Sequence, residues 1–195
     1  KDYFTINKKE KWITNIFSRK ITHLIRSKHD GILSTSQSVN FDNSLLNCRI
    51  EGFNKYKPDL FIIDLNLKLK KNLLLNKILK KRKTYLITYK INFKKIRIYK
   101  KKGYKIILIN SLKDKSDFNL LFKKIYKMGY SRILVEAGLT FLNTLIKKRL
   151  INDLYIFNTN YNLKKNGRNN ATTKYLKSIS SKTISINLNN DKLCK

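Results

Sequence analysis

The arrangement with the clearest chemical use in this sequence is a carboxylate that closes an apolar run and is followed at once by a turn into a helix. Glu136 ends the run Ile133-Leu134-Val135 and precedes Ala137-Gly138. If that run is a strand, the carboxylate stands at the carboxyl edge of a sheet, where open α/β folds place ligands. The turn from Gly138 through Leu139 and Thr140 offers backbone N–H groups at a positive helix end, suited to the pyrophosphate of a dinucleotide. Other reactive types are scarce. His23 and His29 do not share a helical face, and His23 reads as an amphipathic-helix residue rather than a metal ligand or base. Cys48 and Cys194 lack metal-ligand spacing and read as free thiols. Asp42-Asn43-Ser44 is turn chemistry in any protein.

The elements that must position these residues can be read from periodicity. Thr14 or Asn15 can cap a helix in which Phe17, Ile21, Leu24 and Ile25 form one apolar stripe, running to about Arg26. A strand-like run Ile32–Thr35 follows, then a polar turn around Asn40–Ser44 and an extended piece ending at Arg49. Further strands are expected at Leu60–Asp64, Tyr85–Tyr89, Lys105–Asn110, Arg132–Glu136, Leu154–Thr159 and Thr183–Leu188. Ser116 or Asp117 would cap a helix carrying Phe118, Leu121, Phe122 and Ile125, stopped by Gly129, and a second helix spans Leu139–Lys148. This alternation predicts an α/β fold with a mostly parallel central sheet flanked by helices. One Pro and six Gly, with no linker-like stretch, predict a single domain over residues 1–195.

Composition removes several classes of function. The 195 residues are 42% hydrophobic, too apolar for a disordered basic tail. No run approaches the roughly 18 apolar residues of a membrane helix, and no secretory signal opens the sequence, so a cytoplasmic protein, or a fragment of one, is expected. The 44 Lys+Arg against 12 Asp+Glu give a net charge of +32, which favours non-specific nucleic-acid binding at low salt. Only eight of those cations are Arg, and the lysines are spread through a chain rich in Asn and Ile, as compositional drift would leave them. The densest basic stretch is Lys77–Lys83, with Lys80, Lys81, Arg82 and Lys83.

Four motifs in register carry a resemblance. They are Lys11-Trp12-Ile13-Thr14; His23-Leu24-Ile25-Arg26 with Asp30-Gly31-Ile32-Leu33; Asp42-Asn43-Ser44-Leu45-Leu46-Asn47-Cys48-Arg49; and Ile133–Gly138 with Leu150–Leu154. Together they resemble the reductase domain of the bacterial bifunctional riboflavin-biosynthesis deaminase-reductase. That resemblance implies a dihydrofolate-reductase-like fold, NADPH as cofactor, a homodimer, and reduction of 5-amino-6-(5-phosphoribosylamino)uracil to its ribitylamino product. It places Trp12, Ser38, Asp42, Gly138, Leu139 and Thr140 at the cofactor, and Arg26, Leu46, Arg49 and Glu136 at the substrate. Asp42 is the expected catalytic residue, orienting sugar hydroxyls or relaying a proton. A planar guanidinium at Arg26 and at Arg49 suits a two-pronged grip on a phosphate or a uracil carbonyl; a cation at a helix C-terminus is also favoured by the dipole alone.

The sequence departs from the family pattern at Glu10, where the family has a substrate-binding Ser, and at Ala137, where it has Gly. The family's opening strand is absent, Lys1-Asp2 resembling its final residues. The chain is therefore expected to be a piece of a longer protein, lacking that strand and any upstream deaminase domain. No His-x-Glu or Pro-Cys-x-x-Cys is present to hold a deaminase zinc, so no metal site is expected. The loop after Asp64, with Lys68 and Lys70, is a place where the 2′-phosphate of NADPH could be read. Two alternatives stand beside the reductase: a basic nucleic-acid-binding protein, and a degenerate or truncated reductase without activity.

Overall fold

The computed structural model describes residues 2–10, 12–53, 58–90, 93–180 and 185–195. In chain order the elements begin with β1 (Ile6–Asn7), α1 (Ile16–Ser27), β2 (Gly31–Thr35), α2 (Ser36–Asp42), β3 (Asp59–Ile63), β4 (Thr84–Tyr89), α3 (Phe93–Lys101) and β5 (Lys105–Ile109). They continue with α4 (Lys115–Lys127), β6 (Ile133–Val135), α5 (Leu139–Lys147), β7 (Ile156–Thr159), β8 (Gly167–Arg168), α6 (Lys174–Ser180), β9 (Ser185–Leu188) and β10 (Asp191–Cys194). The elements divide between two compact units, one of Lys1–Thr22 with Gly138–Lys195 and the other of His23–Ala137, the boundary falling inside α1.

The His23–Ala137 unit is built on a five-stranded sheet of order β5-β4-β3-β2-β6 in which every pairing is parallel. Its inner strands are apolar along their length, as a sheet covered on both faces requires. Ile32, Leu60, Ile62 and Leu86 share one core cluster with Ile96 and Tyr99 of α3 and with Val39 of α2. On alternate positions Phe61 stacks on Tyr85 at 4.7 Å and meets the edge of Tyr130 at 4.9 Å. The Tyr130 hydroxyl donates to Asp59 at 2.6 Å, which anchors this aromatic group to the start of β3. The chain runs outward from β2 through β3 and β4 to β5, then returns to place β6 on the other side of β2. Strand order therefore reverses between β2 and β6, and the carboxyl ends of those two strands flank the position where parallel α/β sheets open a ligand crevice.

The other unit contains an antiparallel sheet of order β7-β10-β9 and a short β1–β8 pair. Here α1 is capped as its sequence suggests. The Asn15 Oδ1 accepts the Ser18 N–H at 2.9 Å, and buried Asp191 accepts both the Asn15 N–H and the Ser18 hydroxyl. A carboxylate at this end of α1 also complements the helix dipole.

Most expected elements are present, with differences of physical interest. The polar turn expected over Asn40–Ser44 is the end of α2, whose Thr35 cap accepts the Ser38 N–H and whose chain reversal falls on Asn43 at φ 45°. The expected extended piece ending at Arg49 has no ladder partner and is held by side chains instead. The α4 cap is Asp114, with Asp117 completing the capping box rather than serving as the cap. Gly129, at φ 94°, terminates that helix as expected. The expected start of a strand at Thr183 lies outside the described residues, as does Lys11.

Gly31 opens β2 against the Phe61 ring, and a Cβ added there would sit 2.7 Å from a ring carbon. The ring cannot yield, being stacked on Tyr85. Gly31→Ala is expected to lower unfolding free energy by about 1–3 kcal/mol, the usual range for overpacking, measured by urea denaturation. Unchanged stability would show that the aromatic stack rearranges freely.

Candidate active site

The last turn of α1 and the end of β6 meet through a two-pronged ion pair. Arg26 Nε and Nη2 donate to the two carboxylate oxygens of Glu136, each at 2.7 Å, with side-chain exposures of 12% and 21%. The Glu136 N–H continues the ladder beyond β6 by donating to Leu33 O at 2.9 Å. Thus Glu136 does stand at the carboxyl edge of the sheet, at the strand-order reversal, with its charge neutralised by Arg26. The parallel fork geometry makes this a strong charge-assisted pair, and partial burial shields it from solvent screening.

The remaining nitrogen of Arg26, Nη1, donates to Asn47 O at 3.0 Å. Asn47 lies in the segment 43–50, which has no regular secondary structure and carries two of the expected substrate residues, Leu46 and Arg49. Arg82 donates to Leu46 O at 2.7 Å and to Leu45 O at 3.1 Å. His23 Nδ1 accepts the Arg49 N–H at 3.2 Å, and the Cys48 thiol donates to His23 O at 3.3 Å. Leu46 is buried, whereas Arg49 is exposed, its Nη1 donating to Asn47 Oδ1 at 3.4 Å.

Ser38 and Asp42 are four residues apart on α2 and so share a helical face. Ser38 is half-buried, with its hydroxyl 3.1 Å from that of Thr35, while Asp42 is exposed at the helix end. Asn40 of the same helix binds the loop after β3. Its Oδ1 accepts the Lys70 N–H at 2.8 Å and its Nδ2 donates to Lys68 O at 3.0 Å. Buried Asp64 shapes that loop by accepting the N–H groups of Lys68 and Leu69, both at 2.8 Å. The Lys68 and Lys70 side chains are exposed beside α2.

The other expected residues belong to the second unit. Gly138 is the N-cap of α5, with no cap side chain to occupy the helix end; Leu139 and Thr140 form the first turn. Trp12 is half-exposed, with the Arg19 guanidinium 5.0 Å from its ring centroid. Glu10 is exposed. Among the described residues no group of three or more His, Cys, Asp or Glu could hold a metal.

The structure adds two residues that sequence reasoning did not place here. Arg82 belongs to the densest basic stretch, Lys77–Lys83, but it is 6% exposed and cannot serve a surface patch. Burial pulls its pKa down to about 10, below the ordinary arginine value. His23 is half-buried beside Arg26 and Arg49, and burial first, then those two cations, lower its pKa from 6.5. Contacts with segment 43–50, invisible in the one-dimensional pattern, reveal both roles.

A class of protein is now defined: an α/β enzyme-like fold whose polar residues converge at the carboxyl ends of parallel strands. The chain matches the RibD C-terminal domain family over residues 4–160 and belongs to that family. It is 29% identical to the riboflavin biosynthesis protein RibD of Buchnera aphidicola subsp. Baizongia pistaciae, over 77% of this chain and 42% of that protein. It thus spans less than half the length of that relative. Acinetobacter baumannii RibD has the same fold, with a TM-score of 0.77 at 18% identity, covering 98% of this chain and 52% of that one. The Saccharomyces cerevisiae riboflavin biosynthesis reductase Rib7 follows at 0.69 and 19% identity, covering 92% of this chain and 80% of that one.

The His23 environment sets a pH dependence. Because its folded pKa lies below the unfolded 6.5, the unfolded chain binds more protons between the two values, and stability falls as pH drops through 6.5. Thermal melts from about pH 7.5 to about pH 5 should show this loss. The loss should be smaller in His23→Gln, which keeps an acceptor for the Arg49 N–H but does not titrate. Equal slopes in both proteins would remove His23 as a source.

Proposed function

We propose that this chain is the reductase module of riboflavin biosynthesis, converting 5-amino-6-(5-phosphoribosylamino)uracil to the ribitylamino compound with NADPH. The observation that carries this reading is the convergence of Arg26, Glu136 and the Leu46–Arg49 segment at the strand-order reversal of a RibD C-terminal domain. When bound, the nicotinamide supplies a hydride to C1′ of the opened sugar.

The chain's own residues supply binding, orientation and a proton. Arg49 is the exposed guanidinium of the segment and suits the substrate phosphate or a uracil carbonyl. Arg26 holds Glu136 in one orientation, so a carboxylate oxygen can accept from a substrate N–H or hydroxyl without rotating away. Leu46 contributes apolar contact from its buried position. Asp42 orients sugar hydroxyls and relays the proton that ring opening requires; its exposure at the end of α2 leaves it accessible to a ligand.

The residues expected at the cofactor fit its chemistry. The first turn of α5, with Gly138 as cap and Leu139 and Thr140 following, presents N–H donors to a pyrophosphate without competition from a cap side chain. Trp12 offers a ring for stacking, and Ser38 a hydroxyl on the face of α2 that carries Asp42. Lys68 and Lys70, fixed at their backbones by Asp64 and Asn40, suit a 2′-phosphate and hence NADPH over NADH. No helix among the described residues is long and apolar enough to cross a membrane. A cytoplasmic homodimer is the expected working form.

Purified chain should oxidise NADPH in the presence of the deaminated substrate, followed by nicotinamide absorbance. Asp42→Asn should reduce kcat by about 100-fold or more while the melting temperature stays within a few degrees. Turnover unaffected by that change would remove Asp42 from the chemistry. Absence of both turnover and NADPH binding in the wild type would overturn the reductase reading. Replacing Lys68 and Lys70 together by Ala should raise KM for NADPH and leave KM for NADH nearly unchanged.

A further inference from the structure

Arg82 is a costly residue for its setting. It lies at 6% exposure, and among the described residues no carboxylate forms an ion pair with it. Its Nε is buried with no hydrogen-bond partner. Asp59 and Glu136 stabilise the charge from a distance, but Arg26 opposes it. A buried, unpaired guanidinium destabilises a fold unless its donors satisfy groups that would otherwise be orphaned.

What those donors satisfy is specific. Leu46 has φ 47°, a left-handed conformation that costs a residue with a branched side chain about 1 kcal/mol or more. It is also buried, so its carbonyl has no ready access to water. Nη1 of Arg82 takes that carbonyl at 2.7 Å and Nη2 takes the preceding one at 3.1 Å. The planar fork thus fixes two consecutive peptide groups, one on each side of the strained Leu46 φ torsion. Directly beyond, Arg26 takes Asn47 O and His23 takes the Arg49 N–H. Between Leu45 and Arg49 these restraints, like the Cys48 thiol on His23 O, all involve a side chain, and the two that flank the strained residue come from Arg82.

We infer that Arg82 is a positioning residue: its buried guanidinium locks the left-handed turn at Leu46 and thereby sets where Leu46 and Arg49 present themselves. It is not itself a substrate contact. Loss of the fork lets Leu46 relax to negative φ, which displaces Asn47, Cys48 and Arg49 together. The catalytic half of this inference rests on the reductase reading above; the structural half does not.

Cys48 gives an independent probe, since its thiol is buried within the held segment. In a Cys194→Ser background, labelling of Cys48 by a small disulfide reagent should accelerate about tenfold or more in Arg82→Met, which keeps the volume and loses the donors. Arg82→Lys, which keeps the charge but not the fork, should accelerate it several-fold; it also decides the question should the Met variant not fold. In steady-state assays both variants should raise KM for the phosphorylated uracil substrate far more than KM for NADPH, with Lys recovering part of the loss. Unchanged Cys48 protection in folded variants would overturn the positioning role, whatever the activity. Faster labelling with no wild-type turnover would uphold it and count against the reductase reading alone.

Discussion

The arrangement at the strand-order reversal depends on one interaction, the fork between Arg26 and Glu136. β6 is three residues long and, among the described residues, pairs with β2 alone, so the ladder gives its end little support. The ion pair connects that end to the last turn of α1, where a cation is also favoured by the helix dipole. Since the third nitrogen of Arg26 reaches Asn47 O, the same side chain joins a helix, a strand end and an irregular segment. Removing either partner would leave a partly buried charge uncompensated, so the pair behaves as a unit.

Charge balance at this point differs in kind from the charge of the whole chain. Arg26, Arg49 and Arg82 lie near the paired carboxylate of Glu136, with Asp59 acting on Arg82 from a distance, so cations outnumber carboxylates at this point. Such an excess is worth more to an anionic ligand than the exposed lysines are, because water and salt screen it less. The net +32 describes the surface as a whole, whereas these arginines describe one place in the fold.

The parallel sheet was legible because its strands are short apolar runs separated by helical periods, and β2 through β6 lie close to where those runs predict them. Three helices, α2, α3 and α6, were not legible, and the first two show different reasons. α2, with the sequence Ser-Gln-Ser-Val-Asn-Phe-Asp, has poor intrinsic helix propensity; it is held by the Thr35 cap, by fully buried Val39 and by Asn40 binding the loop after β3. α3 hides its buried Ile96 and Tyr99 among five lysine and arginine residues, so its apolar stripe is narrow. In the candidate site, Glu136 could be placed from its position after an apolar strand. Arg26, Leu46 and Arg49 needed the family resemblance, and the role of Arg82 needed three dimensions, because a cation within Lys-Lys-Arg-Lys gives no sign of pointing inward.

That last failure has a physical meaning for how the segment 43–50 is specified. A strand or helix satisfies its own backbone and is encoded locally, but an irregular stretch with a buried residue at φ 47° must borrow donors from elsewhere. Here the donors are Arg26 before it and Arg82 after it, and His23 supplies an acceptor for the Arg49 N–H, all from positions 20 or more residues away. His23 and Arg26 stand on the last turns of α1, a helix whose covered residue is buried Ser18 and not the expected apolar stripe with Phe17, and Arg82 stands just before β4. The geometry offered to a ligand by this segment thus depends on side chains that reach it from distant positions of the same unit, and a change at Arg26 or Arg82 acts first on Asn47 and Leu46.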